Sequence, residues 1–280
     1  MKRGVFLRLT KVVGNYAVKL NATQGGFVKR IIGDGEFSGT GEISRPSMSK
    51  FEKYFEIKKI TDEHSLKKSF SLRHKVYCEE LGYEPIRESG LEYDEYDTRA
   101  VHLCVIHKRS GIFAGTVRLV FDSDQQELPF RRLLKNFKEN VEDINVARLK
   151  KRRMCEVSRL AVPSEFRKRK LDDKLKLNFS SEEIECFPMI SMALFYGCLT
   201  YCKHYEIGAY SMMEERLARA LKISGIESFR VADFHEFNGL RAPFLFSSSF
   251  NTEKIRPEQL RILNYVYNSV IEKEKTITAA

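Results

Sequence analysis

The stretch FPMISMALFYGCLTYCKHY, residues 187–205, sets the tightest limit on what this chain can fold into. Read as a helix with Pro188 in its first turn, it is apolar nearly all the way round, so it must be covered on every side. No apolar run in the chain reaches the roughly 18 residues that a membrane span needs, so the cover has to be protein. The neighbouring segments supply it. AVHLCVIHK (100–108) and FAGTVRLVF (113–121) are β-rich and joined by the glycine-containing RSGI, which predicts an antiparallel hairpin. YFEIKKI (54–60), MCEVSRLAV (154–162) and IGAYSMM (207–213) predict three more strands.

Helices fill the remaining intervals. One is expected after Thr61, taken as its N-cap, with Leu66, Phe70, Tyr77 and Leu81 on one face. EERLARALKISG (214–225) predicts another, stopped by Gly225. FRVADFHEF and LRAPFLFSS flank Asn238-Gly239, a strong hairpin signal, and Pro243 places the second of these strands at a sheet edge. Leu260, Leu263, Tyr267 and Val270 mark one face of a C-terminal helix, to pack on the domain or on a second copy. The order β, α, β, β, β, α, β, α, β, β implies an α/β (α+β) fold: a mixed central sheet with helices on both faces, as in GNAT-like N-acyltransferases.

With 42% hydrophobic and 31% charged residues, 280 residues can bury a substantial core. The compact domain is expected over 51–280. Residues 1–50 read as a basic, loosely ordered extension followed by a Gly/Ser/Thr/Asn-rich linker, with 1–20 able to lie on a membrane surface as an amphipathic helix. Arg8, Lys11 and Lys19 interrupt any secretion-signal core, so a cytoplasmic protein is expected. The six cysteines show no CxxC spacing and read as reduced, packed thiols. The net charge of +10 favours an acidic partner.

Against that charge, LEYDEYDTRAVH (91–102) gathers four carboxylates, and taken alone it fits a metal site, a catalytic cluster or a solvated turn. Other ionised groups sit in apolar surroundings: Arg73 on the stripe of the first helix, Arg118 in GTVRL, and Glu156 and Arg159 in CEVSRL beside Ser158. Such charges cost several kcal/mol unless paired, so an arginine–carboxylate network linking helix, loop and strands is expected. Glu156 and Ser158 share a strand face by period two; Arg159 points the other way unless a bulge intervenes.

These elements together resemble a known signature. Arg73 with Tyr77, Glu92/Asp94/Asp97 as E-x-D-x-x-D, Gly115 with Arg118 and Leu119, and Glu156/Ser158/Arg159 as E-x-S-R look like the acyl-homoserine-lactone (autoinducer) synthases and the related N-acyl amino acid synthases. LRHKVYCEELGYEP, GTVRLV, LPF, CEVSRLAVPSEFRKRK, FPMISMAL, MMEERLARALKISGI and FNGLRAPF extend the likeness, over about residues 51–250, to the PEP-CTERM/exosortase system-associated acyltransferases. The resemblance implies transfer of a fatty acyl group from a thioester to the amine of a small amino-acid-like acceptor. It implies Glu156 as base, with Ser158 and Arg159 beside it, and Arg73, Glu92, Asp94, Asp97 and Arg118 shaping the amine pocket. Glu95 falls outside the pattern and reads as solvent-facing.

No permanent cofactor or metal is expected. The donor is an acyl-phosphopantetheine thioester: the segment after the strand at 154–162, PSEFRKRKLDDKLKLNFSSEEIECFP, has no glycine to cradle a nucleotide pyrophosphate. That favours an acyl-acyl carrier protein over acyl-CoA. Lys150, Lys151, Arg152, Arg153 and Arg167, Lys168, Arg169, Lys170 are the expected docking patches for the acidic carrier. Two other classes share some features. A nucleic-acid-binding protein would use the basic runs but has no use for acids buried in strands. A metal-dependent hydrolase could use D-x-x-D, but the histidines lack ligand spacing. A catalytically silent acyltransferase-like scaffold is the third alternative.

Overall fold

The computed structural model describes residues 48–123, 127–136, 153–167, 179–247 and 257–272. In chain order the elements are α1 (Met48–Tyr54), β1 (Phe55–Lys59), α2 (Glu63–His74), β2 (Ala100–His107), β3 (Phe113–Phe121), α3 (Pro129–Asn136), β4 (Met154–Ala161), α4 (Ser181–Glu185), α5 (Pro188–His204), β5 (Gly208–Met213), α6 (Glu215–Ile223), β6 (Ser228–Arg230), β7 (His235–Glu236), β8 (Leu240–Phe246) and α7 (Pro257–Tyr267). The strands form one sheet in the order β1-β2-β3-β4-β5-β8-β6, with β7 on β8. This is the expected mixed α/β sheet, antiparallel except where β4 and β5 run parallel.

Period-two alternation sorts the two faces of the sheet. Thr116 of β3 meets Ser69 of α2 (2.7 Å), so Thr116, Arg118 and Val120 lie on the α2 side of the sheet, Val120 packing with Tyr96 and Phe130. Val117 and Leu119 join the main core under α5. That helix is buried almost all round, from Ile190 through Cys202, as its composition requires. It lies close enough on the sheet that a Cβ at Gly197 would stand 2.9 Å from both Ile57 and Leu103. All six cysteines are buried thiols, with Cys155 and Cys202 3.5 Å apart across β4 and α5.

Three local expectations are corrected. Asp62, not Thr61, caps α2 by accepting from Ser65 N–H (2.8 Å). The helix then passes into a π-helical turn, Lys75–Glu80. β8 is not an edge strand: it lies between β5 and β6. Pro243 is tolerated there because the β6 ladder ends at Phe244, and Val231 N–H still donates to the Pro243 carbonyl. The C-terminal helix packs on the domain, but its buried line is Ile262, Val266 and Val270, with Leu260, Leu263 and Tyr267 only partly covered.

The parallel ladder between β4 and β5 is short. It runs from Met154↔Gly208 to Glu156↔Tyr210 and stops. Beyond it β4 stays with β3 and β5 turns to β8, so the sheet splits at Glu156.

Candidate active site

A cavity of about 310 Å³ lies at this split. Its walls include Glu156, Ser158 and Arg159 from β4, Arg118 from β3, Asp94 and Glu84 from the loop after α2, Phe130 and Leu133 from α3, Met212 from β5 and Arg241 from β8.

The acid-rich segment is held by its own spacing. Asp94 caps a 3-10 turn, Glu95–Arg99, by accepting from Tyr96 N–H (2.9 Å). Asp97 reaches back to accept from Asp94 N–H (2.8 Å), which completes a capping box. Both aspartates thereby point at the sheet. Arg73 meets Asp97 with two parallel bonds (2.7 and 3.1 Å) and Glu92 through Nε (2.5 Å). Arg118 grips Asp94 the same way (2.6 and 2.8 Å) and also approaches Asp97 (2.8 Å). Arg159 bonds Glu92 (3.1 Å) and Glu84 (2.9 Å) and stands 3.5 Å from Asp94. The six groups close a ring of alternating charge: Arg73, Glu92, Arg159, Asp94, Arg118, Asp97. Bidentate geometry makes such buried pairs strong.

Arg159 joins the ring through a bulge. β3–β4 pairing slips between Arg118↔Ser158 and Thr116↔Ala161, so β4 carries one extra residue. Arg159 takes it up in the left-handed region (φ 51°), and its guanidinium packs over the Tyr77 ring (5.5 Å).

Charge follows from this geometry. Burial alone would raise the Asp97 carboxyl, but Arg73 and Arg118 hold it well below the usual range. Asp94 is likewise lowered against its burial by Arg118. Burial pushes His102, beside Asp97, down to about 4, so it is neutral. Glu156 differs from the ring acids. It is buried, accepts from the Phe130 N–H in the first turn of α3 (2.7 Å), and burial pushes its carboxyl up to about 7 against that bond and the pull of Arg118 and Arg159.

Of the residues singled out in the sequence, Glu156, Ser158, Arg159, Asp94 and Arg118 line the cavity. Arg73, Glu92 and Asp97 do not. They lie behind the wall, because pairing with one another buries them; of the three acids of E-x-D-x-x-D, Asp94 is the one on the cavity lining. Ser158 Oγ accepts from Arg118 Nε (3.1 Å). Glu95 is exposed and pairs with Arg132 on the surface (2.9 Å).

Arg167 is removed from the expected docking patch. Phe166 turns into the core, and Arg167 follows it inward to an ion pair with Glu80. Arg153 is exposed, over the Phe121 ring (5.7 Å). Lys150, Lys151, Arg152, Lys168, Arg169 and Lys170 lie outside the described residues, as does the proposed extension up to residue 47. Among the described residues, no cluster of His, Cys, Asp and Glu is placed to hold a metal, and no helix is long and apolar enough to cross a membrane.

Sequence reasoning missed Phe130, Glu84 and Arg241. Phe130 acts through its backbone, which no side-chain pattern reveals. Glu84 and Arg241 sit in stretches, GYEP and FNGLRAPF, that had no chemistry attached to them.

Comparison with known proteins gives a coarse classification. Residues 72–176 match the family model of the acetyltransferase (GNAT) domain. No curated protein matches the chain. Similar solved structures include FeeM, an N-acyl amino acid synthase from uncultured soil microbes, 13% identical over 74% of this chain and 97% of that one, TM-score 0.47. LasI, an AHL synthase, is 16% identical over 78% and 95%, TM-score 0.48. BjaI, a CoA-dependent acyl-homoserine lactone synthase solved with SAM and isopentyl-CoA, is 18% identical over 77% and 92%, TM-score 0.49. Residues 72–176, from the end of α2 through β4, thus resemble an acetyltransferase (GNAT) domain and include the cavity wall formed by Asp94, Arg118 and Glu156.

Proposed function

We propose that the protein moves a fatty acyl group from an acyl-acyl carrier protein thioester to the amine of a small amino-acid-like acceptor. Acyl-CoA is the alternative donor. The observation that carries this reading is Glu156: a buried acid raised to about 7, on the cavity wall where the sheet splits. An amine arrives protonated and must lose a proton before it attacks. A base with pKa near the working pH is the efficient acceptor for it. Asp94 and Asp97 cannot serve, since their arginines hold them ionised and weakly basic.

In this reading Asp94 and Glu84 attract the ammonium, and Glu156 takes its proton. The amine nitrogen attacks the thioester carbon, the C–N bond forms, and the C–S bond breaks. The thiolate leaves with the second proton of the attacking nitrogen, relayed through Ser158, whose oxygen accepts from Arg118 and whose hydroxyl donates as it regains that proton. Among the described residues, strand β4 past Glu156 has no strand paired on its β5 side, and its amides there would polarise the thioester carbonyl.

Support for a carrier-protein donor is the absence of glycine in the segment after β4, together with the basic runs 150–153 and 168–170. The finer resemblance, to PEP-CTERM/exosortase-associated acyltransferases, a single domain over 51–280 and a cytoplasmic setting belong to the same proposal. The test is mass spectrometry of lipid extracts from cells expressing the protein or its Glu156→Gln variant. A new N-acyl amine present only with the unaltered protein supports the reading; no new product in the presence of ample amino acids refutes it.

A further inference from the structure

Resting on the acyltransferase reading above, we propose that Arg241 is the specificity residue that holds the carboxylate of the acceptor, so that the substrate is an α-amino acid rather than a simple amine.

The motif FNGLRAPF has no part in the chemistry assigned so far, yet the fold brings it to the cavity. The turn after β7 puts Phe237, Asn238 and Arg241 into the cavity lining, across the sheet split from Asp94, Arg118 and Glu156. Asn238 and Gly239 both have positive φ (50° and 101°), which gives the tight reversal that returns the chain into β8. Arg241 is in register with His235, and the next residue, Ala242, is in register with Met213 of β5. The arginine therefore stands on an interior strand at the cavity, not on a loose surface loop.

Its guanidinium is oriented before any ligand arrives. Nη2 donates to the Asn238 carbonyl (3.0 Å), and the group packs over the Tyr83 ring (5.7 Å). Tyr83 is itself tied to the π-helical turn, since its N–H donates to the Tyr77 carbonyl (2.8 Å). Tyr77 carries Arg159 over its own ring. Two guanidinium groups on two linked tyrosines thus flank one side of the cavity. Arg159 is engaged by Glu92 and Glu84. Arg241 feels Arg159 as a like charge and Glu214 as an opposite one. Glu214, which lies under Gly239, is raised to about 7 by burial and is only partly ionised near neutrality. A buried guanidinium cannot shed its proton. A carboxylate entering the cavity offers it the planar, two-oxygen partner that it binds best.

The two ends of a zwitterionic amino acid then have separate addresses. The ammonium faces the acids, Asp94 and Glu84, near Glu156, and the carboxylate faces Arg241. The phosphate of a pantetheine arm is the other anion to consider. The arm holds that phosphate many bonds from the thioester, so a phosphate contact at Arg241 would show in the donor KM and not in the acceptor KM.

The test compares L-amino acids with their matching α-amides, using octanoyl-loaded acyl carrier protein as donor and full-length enzyme. The unaltered protein should prefer the amino acid by about 10- to 100-fold in kcat/KM, the usual value of a hydrogen-bonded charge. Arg241→Gln should abolish most of that preference through the acceptor KM, leaving the donor KM in place, and Arg241→Lys should restore part of it. Because Arg241 is buried, the amide comparison in the unaltered protein stands even if a variant folds poorly. Equal use of acid and amide by the unaltered protein overturns the inference and leaves the acyltransferase reading intact. So does a preference that survives Arg241→Gln, or a rise confined to the donor KM. No transfer to any amine overturns both.

Discussion

Replacing Glu156 by glutamine separates catalysis from stability in opposite directions. Glutamine keeps the shape and can still accept from the Phe130 N–H, but it cannot take a proton. Loss of a positioned base lowers kcat by about 10²- to 10⁴-fold. Stability should move the other way. Burial raises the Glu156 carboxyl from an ordinary 4.5 to about 7. A raised acid binds more protons folded than unfolded, so stability falls as pH rises from about 4.5 to about 7 and stays reduced above that. At 1.36 kcal/mol per unit, the cost at pH 8 is about 3 kcal/mol. Glutamine mimics the protonated acid and avoids that cost. The variant should therefore match the unaltered protein at pH 4 and exceed it at pH 8 by about 3 kcal/mol, or about 6–12 °C in Tm. Glu214 is also raised to about 7, but it is present in both proteins and cancels in the difference. Denaturant titrations at the two pH values, beside the kcat/KM profile, are the assay. A stability difference independent of pH, or a profile with no ionisation near 7, would refute the burial argument. Full activity in the variant would remove Glu156 as the base.

Other perturbations probe the scaffold and the docking surface. Arg73→Met leaves Glu92 and Asp97 each with one arginine fewer in a buried site and should cost about 3–5 kcal/mol in urea denaturation; a loss under 1 kcal/mol would mean that the ring is not what holds the loop. Gly197→Val places methyl groups against Ile57 and Leu103, which already stand 2.9 Å from a built Cβ, and should cost about 1–3 kcal/mol, read as a lower thermal midpoint. Reversing Lys150, Lys151 and Arg152 to glutamate should weaken acyl carrier protein binding and flatten its salt dependence; carrier binding that ignores ionic strength would defeat the docking idea.

Much of this architecture could be read before the fold was seen, for one physical reason: burying a charge or an all-round apolar helix is expensive, so both announce their surroundings. Arg73 on an apolar stripe demanded acids, and Glu92 and Asp97 are the acids it found. The hairpin at 100–121 followed from two β-rich runs around a glycine-containing connection, and the layer over helix 187–205 from that helix being apolar all round. What could not be read depended on single backbone choices. Whether Arg159 faced the ring hung on one bulge, and the left-handed turn that makes it falls on a residue with no glycine to betray it. Pro243 looked like an edge marker, yet a neighbouring strand that stops one residue short made an interior place for it. The buried line of the last helix runs through Ile262 and Val266 rather than Leu260 and Leu263, one position away on a helix that is apolar across a wide arc. Arg167 belonged to a basic run by composition and to Glu80 by packing.

The short seam between β4 and β5 has a consequence for observation. Three residue pairs hold the two plates of the sheet together before they part at Glu156. Among the described residues, the stretch Val157 to Ala161 has β3 on one side, interrupted by the bulge at Arg159, and no paired strand on the cavity side. Hydrogen exchange along this strand should therefore be uneven within a few residues, slow where β3 protects and fast where nothing does. A thioester seated in the gap would fill the role of the missing strand, and the fast amides would slow. The gap that lets the substrate in would thus report, residue by residue, when it is occupied.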